Sequence, residues 1–173
     1  MALGLAVGTR GADHNRSSAY EADFSERVDR RDGGPASAPH AVETEDRAAV
    51  MDSMILCKFL RGVFVDFYAE SAEMLAAVTG WEVDAEELAV VARRVVNARK
   101  CVNSREGWTR HEDTLPPRFL SEAPTSPGAP FLSRGRLDSM IAAYYQARGW
   151  SADGQVPRQL RRDLHLDDPA FGA

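Results

Sequence analysis

Cysteine is scarce in this chain: of 173 residues only Cys57 and Cys101 carry a thiol. Two thiols in stretches that read as helical lack the even, dense spacing of a secreted disulfide scaffold, so a reducing, cytoplasmic setting is expected. No apolar run reaches the roughly 18 to 20 residues that cross a bilayer as a helix, and Met1 to Val7 lacks the basic segment of a signal peptide. Positive charge is also in deficit. With 21 Lys and Arg against 26 Asp and Glu the formal net charge is −5, which argues against nucleic acid or an anionic membrane as partner, because both select a basic face. What the chain does have is a hydrophobic fraction of 44%, enough to bury a sizeable core as one domain over residues 1–173.

The apolar residues recur mostly at helical spacing. Thr44 can serve as an N-cap, Glu45 and Asp46 suit a positive first turn, and Ala48, Met51, Met54 and Ile55 then share one face. Asp52 falls near the C-terminal end of that helix, where free carbonyls disfavour a carboxylate, so its presence asks for a compensating partner. Ser71 can cap a short helix through Met74, Leu75 and Val78, stopped by Gly80. Asp84-Ala85-Glu86-Glu87 is a capping-box-like start for a helix predicted over Ala85 to about Arg105, with Leu88, Val91, Ala92, Val95, Val96 and Val102 on its core face. Cys101 lies in that helix without a partner at metal-ligand spacing and reads as structural. Leu137, Met140, Ile141, Tyr144 and Tyr145 give a further helix ended by Gly149, and Pro157 suits the first turn of a last one through Leu164.

Other segments lack a continuous apolar face. Residues 25–42, dense in charge, glycine and proline, are expected as an exposed loop; residues 121–135 as a linker stiffened by Pro124, Pro127 and Pro130; and residues 165–173 as a frayed tail. Met1 to Val7 starts apolar and reads as the end of a helix. From Phe59 to Tyr68 the chain is apolar without strict alternation, which predicts an irregular buried lining that keeps water from whatever Cys57 binds. The arginines and acids between Arg105 and Phe119 read as an ion-pair network that holds a loop, with His111 exposed among them.

Two stretches carry chemistry. In Gly8 to Arg16, two glycines mark a turn around Arg10, His14 and Arg16. Histidine titrates in the range for acid/base work, and arginines can pair bidentately with phosphates or ring oxygens; the same residues also suit a plain surface loop with Asp13 and Arg16 as solvated ions. In the second stretch, Asp52 to Lys58, residue type alone leaves Cys57 open as a small buried hydrophobe and Asp52 as a salt-bridge partner of Lys58 or Arg61.

Four motifs in order, Arg10-Gly11-Ala12-x-His14, Asp52-x-x-x-Leu56-Cys57, Asn103-x-Arg105-Glu106-Gly107 to Leu115-Pro116-x-Arg118, and Tyr144-Tyr145-x-x-Arg148-Gly149-Trp150, resemble the tungsten-containing aldehyde ferredoxin oxidoreductase family in its C-terminal helical part. The resemblance implies an all-α fold, an irregular multi-helix domain with long loops. It implies that Asp52 and Leu56 contact the pterin of a tungstopterin or molybdopterin, that Cys57 ligates a [4Fe-4S] cluster, that His14 is the acid/base residue near the metal, and that Arg10 and Arg16 touch the cofactor. Ile55 stands where the family has glycine. The implied activity is oxidation of aldehydes to carboxylic acids, with electrons passing from the tungstopterin through the cluster to ferredoxin. The family's Cys-x-x-Cys-x-x-x-Cys segment, a second aspartate motif and an N-terminal β-rich domain are not in this sequence. Because a cubane takes four thiolates, the missing upstream domains, or a separate subunit carrying them, are expected as partner. The alternative from another class is a catalytically inert truncated remnant or helical interaction module. Surface left open by missing domains is expected to make the isolated chain self-associate.

Overall fold

The computed structural model describes residues 1–25, 34–122 and 131–168. Among them the regular elements are helical: α1 (Ala2–Ala6), α2 (His14–Ser17), α3 (Tyr20–Phe24), α4 (Ser37–Ser53), α5 (Phe67–Thr79), α6 (Ala85–Arg105), α7 (Pro117–Ser121), α8 (Arg134–Arg148) and α9 (Arg158–Asp163), with a 3-10 turn at Lys58–Gly62. A single bridge between Thr9 and Gly11 is the only β-type pairing in these residues. The fold is all-α, as expected, and none of the described helices is long and apolar enough to cross a membrane.

Helix ends follow local chemistry where capping residues are present. The Asp84 carboxylate accepts the Glu87 N–H at 2.8 Å and starts α6 at the predicted residue. Ser133 caps α8, and Gly149, with φ at +72°, ends it in the left-handed conformation that glycine adopts at no steric cost. α5 begins earlier than predicted. Asp66, not Ser71, caps it, while Glu70 reaches back to the Val65 and Asp66 N–H groups, and Ser71 is buried inside the helix.

The largest departure is α4. It starts at Ser37, so Thr44 is an interior residue whose hydroxyl donates to the His40 carbonyl, and residues 37–42 are helix instead of loop. Pro39 lies in the first turn, where its missing N–H breaks no helical bond, and Ala38 and Ala41 are buried in the core. Residues 26–33 of the expected loop, and 123–130 of the expected linker, lie outside the described residues; Ser121 belongs to α7, and Arg134 and Gly135 to α8. The tail is held further than expected. Leu166 is buried and its N–H donates to the Arg161 carbonyl at 2.7 Å, while residues 169–173 lie outside the described residues.

α4 packs against both α6 and α8, enclosing Leu3, Val96, Leu137, Ile141, Tyr144, Tyr145 and Trp150. Two polar networks cross this core. In the first, Arg148 is paired with Glu45 at 2.5 Å and Asp46 at 2.6 Å, and Tyr144 donates its O–H to Glu45. Burial alone would lower the Arg148 pKa, but Tyr144, Glu45 and Asp46 outweigh it and hold the guanidinium well above its ordinary value. Glu45 and Asp46 are therefore core ion-pair partners, not first-turn charges. In the second network, Asp113 accepts from Lys100 at 2.9 Å, from Trp108 Nε1 at 2.7 Å and from the Tyr145 O–H, while Arg110 ties the Asp113 carbonyl to Asp138. The loop after α6 is fixed by buried charge, as its sequence suggested, and His111 is exposed.

Candidate functional site

The chain reverses direction at the end of α4. The Met54 N–H bonds the Val50 carbonyl and the Leu56 N–H bonds the Met51 carbonyl at 2.8 Å, which requires a left-handed residue between them. Ile55 takes that role with φ at +59°. Glycine adopts this conformation freely, whereas a β-branched residue costs roughly 1–2 kcal/mol. The Ile55 side chain is 91% exposed, so packing does not offset the strain. The reversal seats Leu56 against the small cluster of Val50, Met51, Phe67 and Ala92 and leaves Cys57 exposed at the start of the 3-10 turn.

Asp52 receives the compensation its position demands. Lys58 Nζ lies 2.9 Å from Oδ1 and also donates to the Ala48 carbonyl at 3.0 Å, so one ammonium serves both the carboxylate and the negative end of the helix. Arg16 from α2 and Arg99 from α6 each approach Oδ2 at 3.8 Å. That oxygen is buried and accepts no hydrogen bond. Arg61, the other partner considered for Asp52, pairs instead with Glu21 and stacks over the Tyr20 ring.

His14 opens α2, whose N-cap Asp13 accepts the Asn15 N–H at 2.8 Å and pairs with Arg10 and, at 3.8 Å, with Arg16. Burial would raise the Asp13 pKa, but the Asn15 N–H and the Arg10 charge, with Arg16, bring it below the ordinary 3.8. His14 itself is exposed, with its ring 6.0 Å from that of Tyr20. Two contacts hold this segment in place. Asn103 of α6 donates to the Thr9 carbonyl at 2.6 Å, and α1 lies so close to α2 that a Cβ on Gly4 would stand 2.1 Å from Ser17 Oγ.

The two chemistry-bearing stretches thus meet through Arg16, which touches both Asp13 and Asp52. Arg10 stays on the outer side, 66% exposed and paired with Asp13. Among the described residues no hydrogen bond or ion pair joins His14 or Cys57 to Asp52. The sequence analysis gives Arg99 no role, although four residues after Val95 and three before Val102 it lies on the apolar face predicted for α6; periodicity does not show that Asp52 is the group that meets it there.

The apolar stretch after Cys57 does not form the expected dry shell. Phe59 is 91% exposed, Val63 67% and Val65 fully exposed, because no described element covers the 3-10 turn; Phe67 is buried in the small cluster, and Phe64 and Tyr68 pack on it. Among the described residues, no three His, Cys, Asp or Glu side chains are grouped to hold a metal. Cys101 is buried on α6, where burial raises its thiol pKa. Cys57 is the exposed thiol of the two.

Known proteins match along almost the whole chain. The family model described as aldehyde ferredoxin oxidoreductase, domains 2 & 3, covers residues 1–166. The chain is 30% identical over 172 residues to the tungsten-containing aldehyde ferredoxin oxidoreductase of Pyrococcus horikoshii, which covers 96% of this chain and 28% of the relative. The proteins of the same name from Thermococcus kodakarensis and Pyrococcus furiosus are 30% identical over 170 and 169 residues, each covering 95% of this chain and 27% of the relative. The chain therefore spans little more than a quarter of the length of these relatives.

Proposed function

Because this chain belongs to the aldehyde ferredoxin oxidoreductase family, matching its domains 2 and 3, we propose that it supplies one part of an oxidoreductase that converts aldehydes to carboxylic acids and delivers the electrons to ferredoxin. What supports this reading is the junction at the end of α4, where Arg16 ties the His14 segment to Asp52 and the chain reverses to expose Cys57. A bound tungstopterin supplies the two-electron oxidation, and a [4Fe-4S] cluster carries the electrons onward.

Each residue of the chain then has a task. Asp52 accepts from pterin ring N–H groups, held in place by Lys58. Leu56 packs beside the ring. Arg10 and Arg16 donate to oxygens of the cofactor. Cys57 contributes one thiolate, and a polypeptide carrying the remaining domains contributes the others. His14, exposed at the start of α2, accepts the proton released as water adds to the aldehyde carbon. The exposed Phe59, Val63 and Val65 are covered when that polypeptide is present.

Iron, acid-labile sulfide and tungsten, measured on the chain purified anaerobically alone and after co-expression with the remaining domains, test this function. Metal is expected only on co-expression, with iron lost in Cys57→Ser. Preparations that are both colourless and metal-free would overturn the proposal and leave an inert helical module.

A further inference from the structure

Two arginines of the site leave their donors unused. Arg16 and Arg99 each lie 3.8 Å from the same Asp52 oxygen, beyond hydrogen-bonding distance. Their side chains are only 34% and 27% exposed. A guanidinium carries five N–H donors, and in a half-buried setting most find acceptors. Arg148 shows the usual outcome in this same fold, with bonds to Glu45, Asp46, Tyr144 and the Val42 carbonyl. Arg16 and Arg99 have no such set.

The local charge is also unbalanced. Arg10, Arg16, Lys58 and Arg99 face the two carboxylates of Asp13 and Asp52, an excess of positive charge in a chain of net −5. Burial, and then the like charge of Arg16, make Arg99 a weaker base than a free arginine. An anion bridging the two guanidiniums would relieve that repulsion and occupy the open donors together. A tetrahedral oxyanion offers acceptor oxygens to both guanidinium forks at once. Arg10 lies outside this arrangement, exposed and held by Asp13.

We propose that Arg16 and Arg99 form a clamp for a phosphate-class oxyanion, seated beside Asp52 at the C-terminal end of α4. Its carrier is either free phosphate or the phosphate ester of a pterin cofactor, and only the second rests on the function proposed above. Arg99 is then a binding residue that none of the four motifs contains.

Thermal melting of the full chain in inorganic phosphate against chloride at equal ionic strength tests the clamp. At about ten-fold excess over the dissociation constant, phosphate is expected to raise the midpoint by about 3–6 °C. The rise should vanish in Arg99→Gln and in Arg16→Gln, weaken in Arg99→Lys, which keeps the charge but not the fork, and persist in Arg118→Gln, an exposed arginine paired with Glu122. Two-dimensional amide spectra of each variant establish that it is folded before its response is read. An undiminished rise in folded Arg99→Gln, or none in the wild type, would overturn the clamp. A second arm measures pterin content after co-expression with the remaining domains. Loss of pterin together with the phosphate response in Arg99→Gln assigns the clamp to the cofactor, and loss of the phosphate response alone assigns it to free phosphate. A wild-type complex without pterin contradicts the proposed function, and the phosphate arm on the chain still decides the clamp.

Discussion

α4 carries two carboxylate clusters of opposite character. In its middle, Glu45 and Asp46 meet Arg148 at 2.5 and 2.6 Å, with the arginine 2% exposed. At its end, Asp52 meets Arg16 and Arg99 at 3.8 Å with all three side chains roughly a third exposed. The first cluster is closed: its charges have left water and are satisfied by one another, so its role is complete once the chain folds. The second is open, with unused donors, an unpartnered carboxylate oxygen and a strained turn beside an exposed thiol. One helix thus carries mutually satisfied charge in its middle and incompletely satisfied charge at its end.

The sharpest way to break this contrast is to remove Arg148. Arg148→Gln strands Glu45 and Asp46 in the core and is expected to cost about 3–5 kcal/mol in urea denaturation; a loss near zero would mean the closed cluster holds nothing together. Ile55→Gly acts in the opposite direction. It relieves roughly 1–2 kcal/mol of left-handed strain against roughly 0.5–1 kcal/mol of added chain entropy, so stability should rise by less than about 1.5 kcal/mol. Arg99→Gln, in the open cluster, should change stability by under about 1 kcal/mol, and an effect as large as that of Arg148→Gln would erase the distinction. The smallest effect is on acid stability. Asp13 has a folded pKa below the ordinary 3.8, so its contribution is present above that value and is lost as pH falls from 3.8 through the lower folded value. Asp13→Asn should therefore flatten the acid limb of the stability profile between those limits and leave its neutral limb unaltered in shape.

How much of this could be read from the residues follows from the range of the interactions. α6 was legible at both ends because Asp84 caps it locally and its core face repeats at helical spacing. The end of α8 was legible from Gly149. The start of α4 was not, because Pro39 and the preceding glycines suggest a break while the structure uses the proline in a first turn. The Arg148 network joins residues 103 positions apart, and no local pattern reveals such a pair. Asp52 was conspicuous at the negative end of a helix, yet only the packing of α2 and α6 against α4 brings Arg16 and Arg99 to it. Phe59, Val63 and Val65 were read as buried because apolar character predicts burial without saying which surface provides it; among the described residues none does. The exposed apolar surface supports the expectation of self-association, which sedimentation of the isolated chain would measure.

Hydrogen exchange, recorded on the chain alone and in complex with the remaining domains, tests the division into a closed core and an open site most directly. Amides of α8 are predicted to exchange slowly in both states, while those of residues 9–16 and 54–66 exchange quickly alone and slow markedly in the complex. Equal protection of 54–66 in the isolated chain, or no change on forming the complex, would contradict the account.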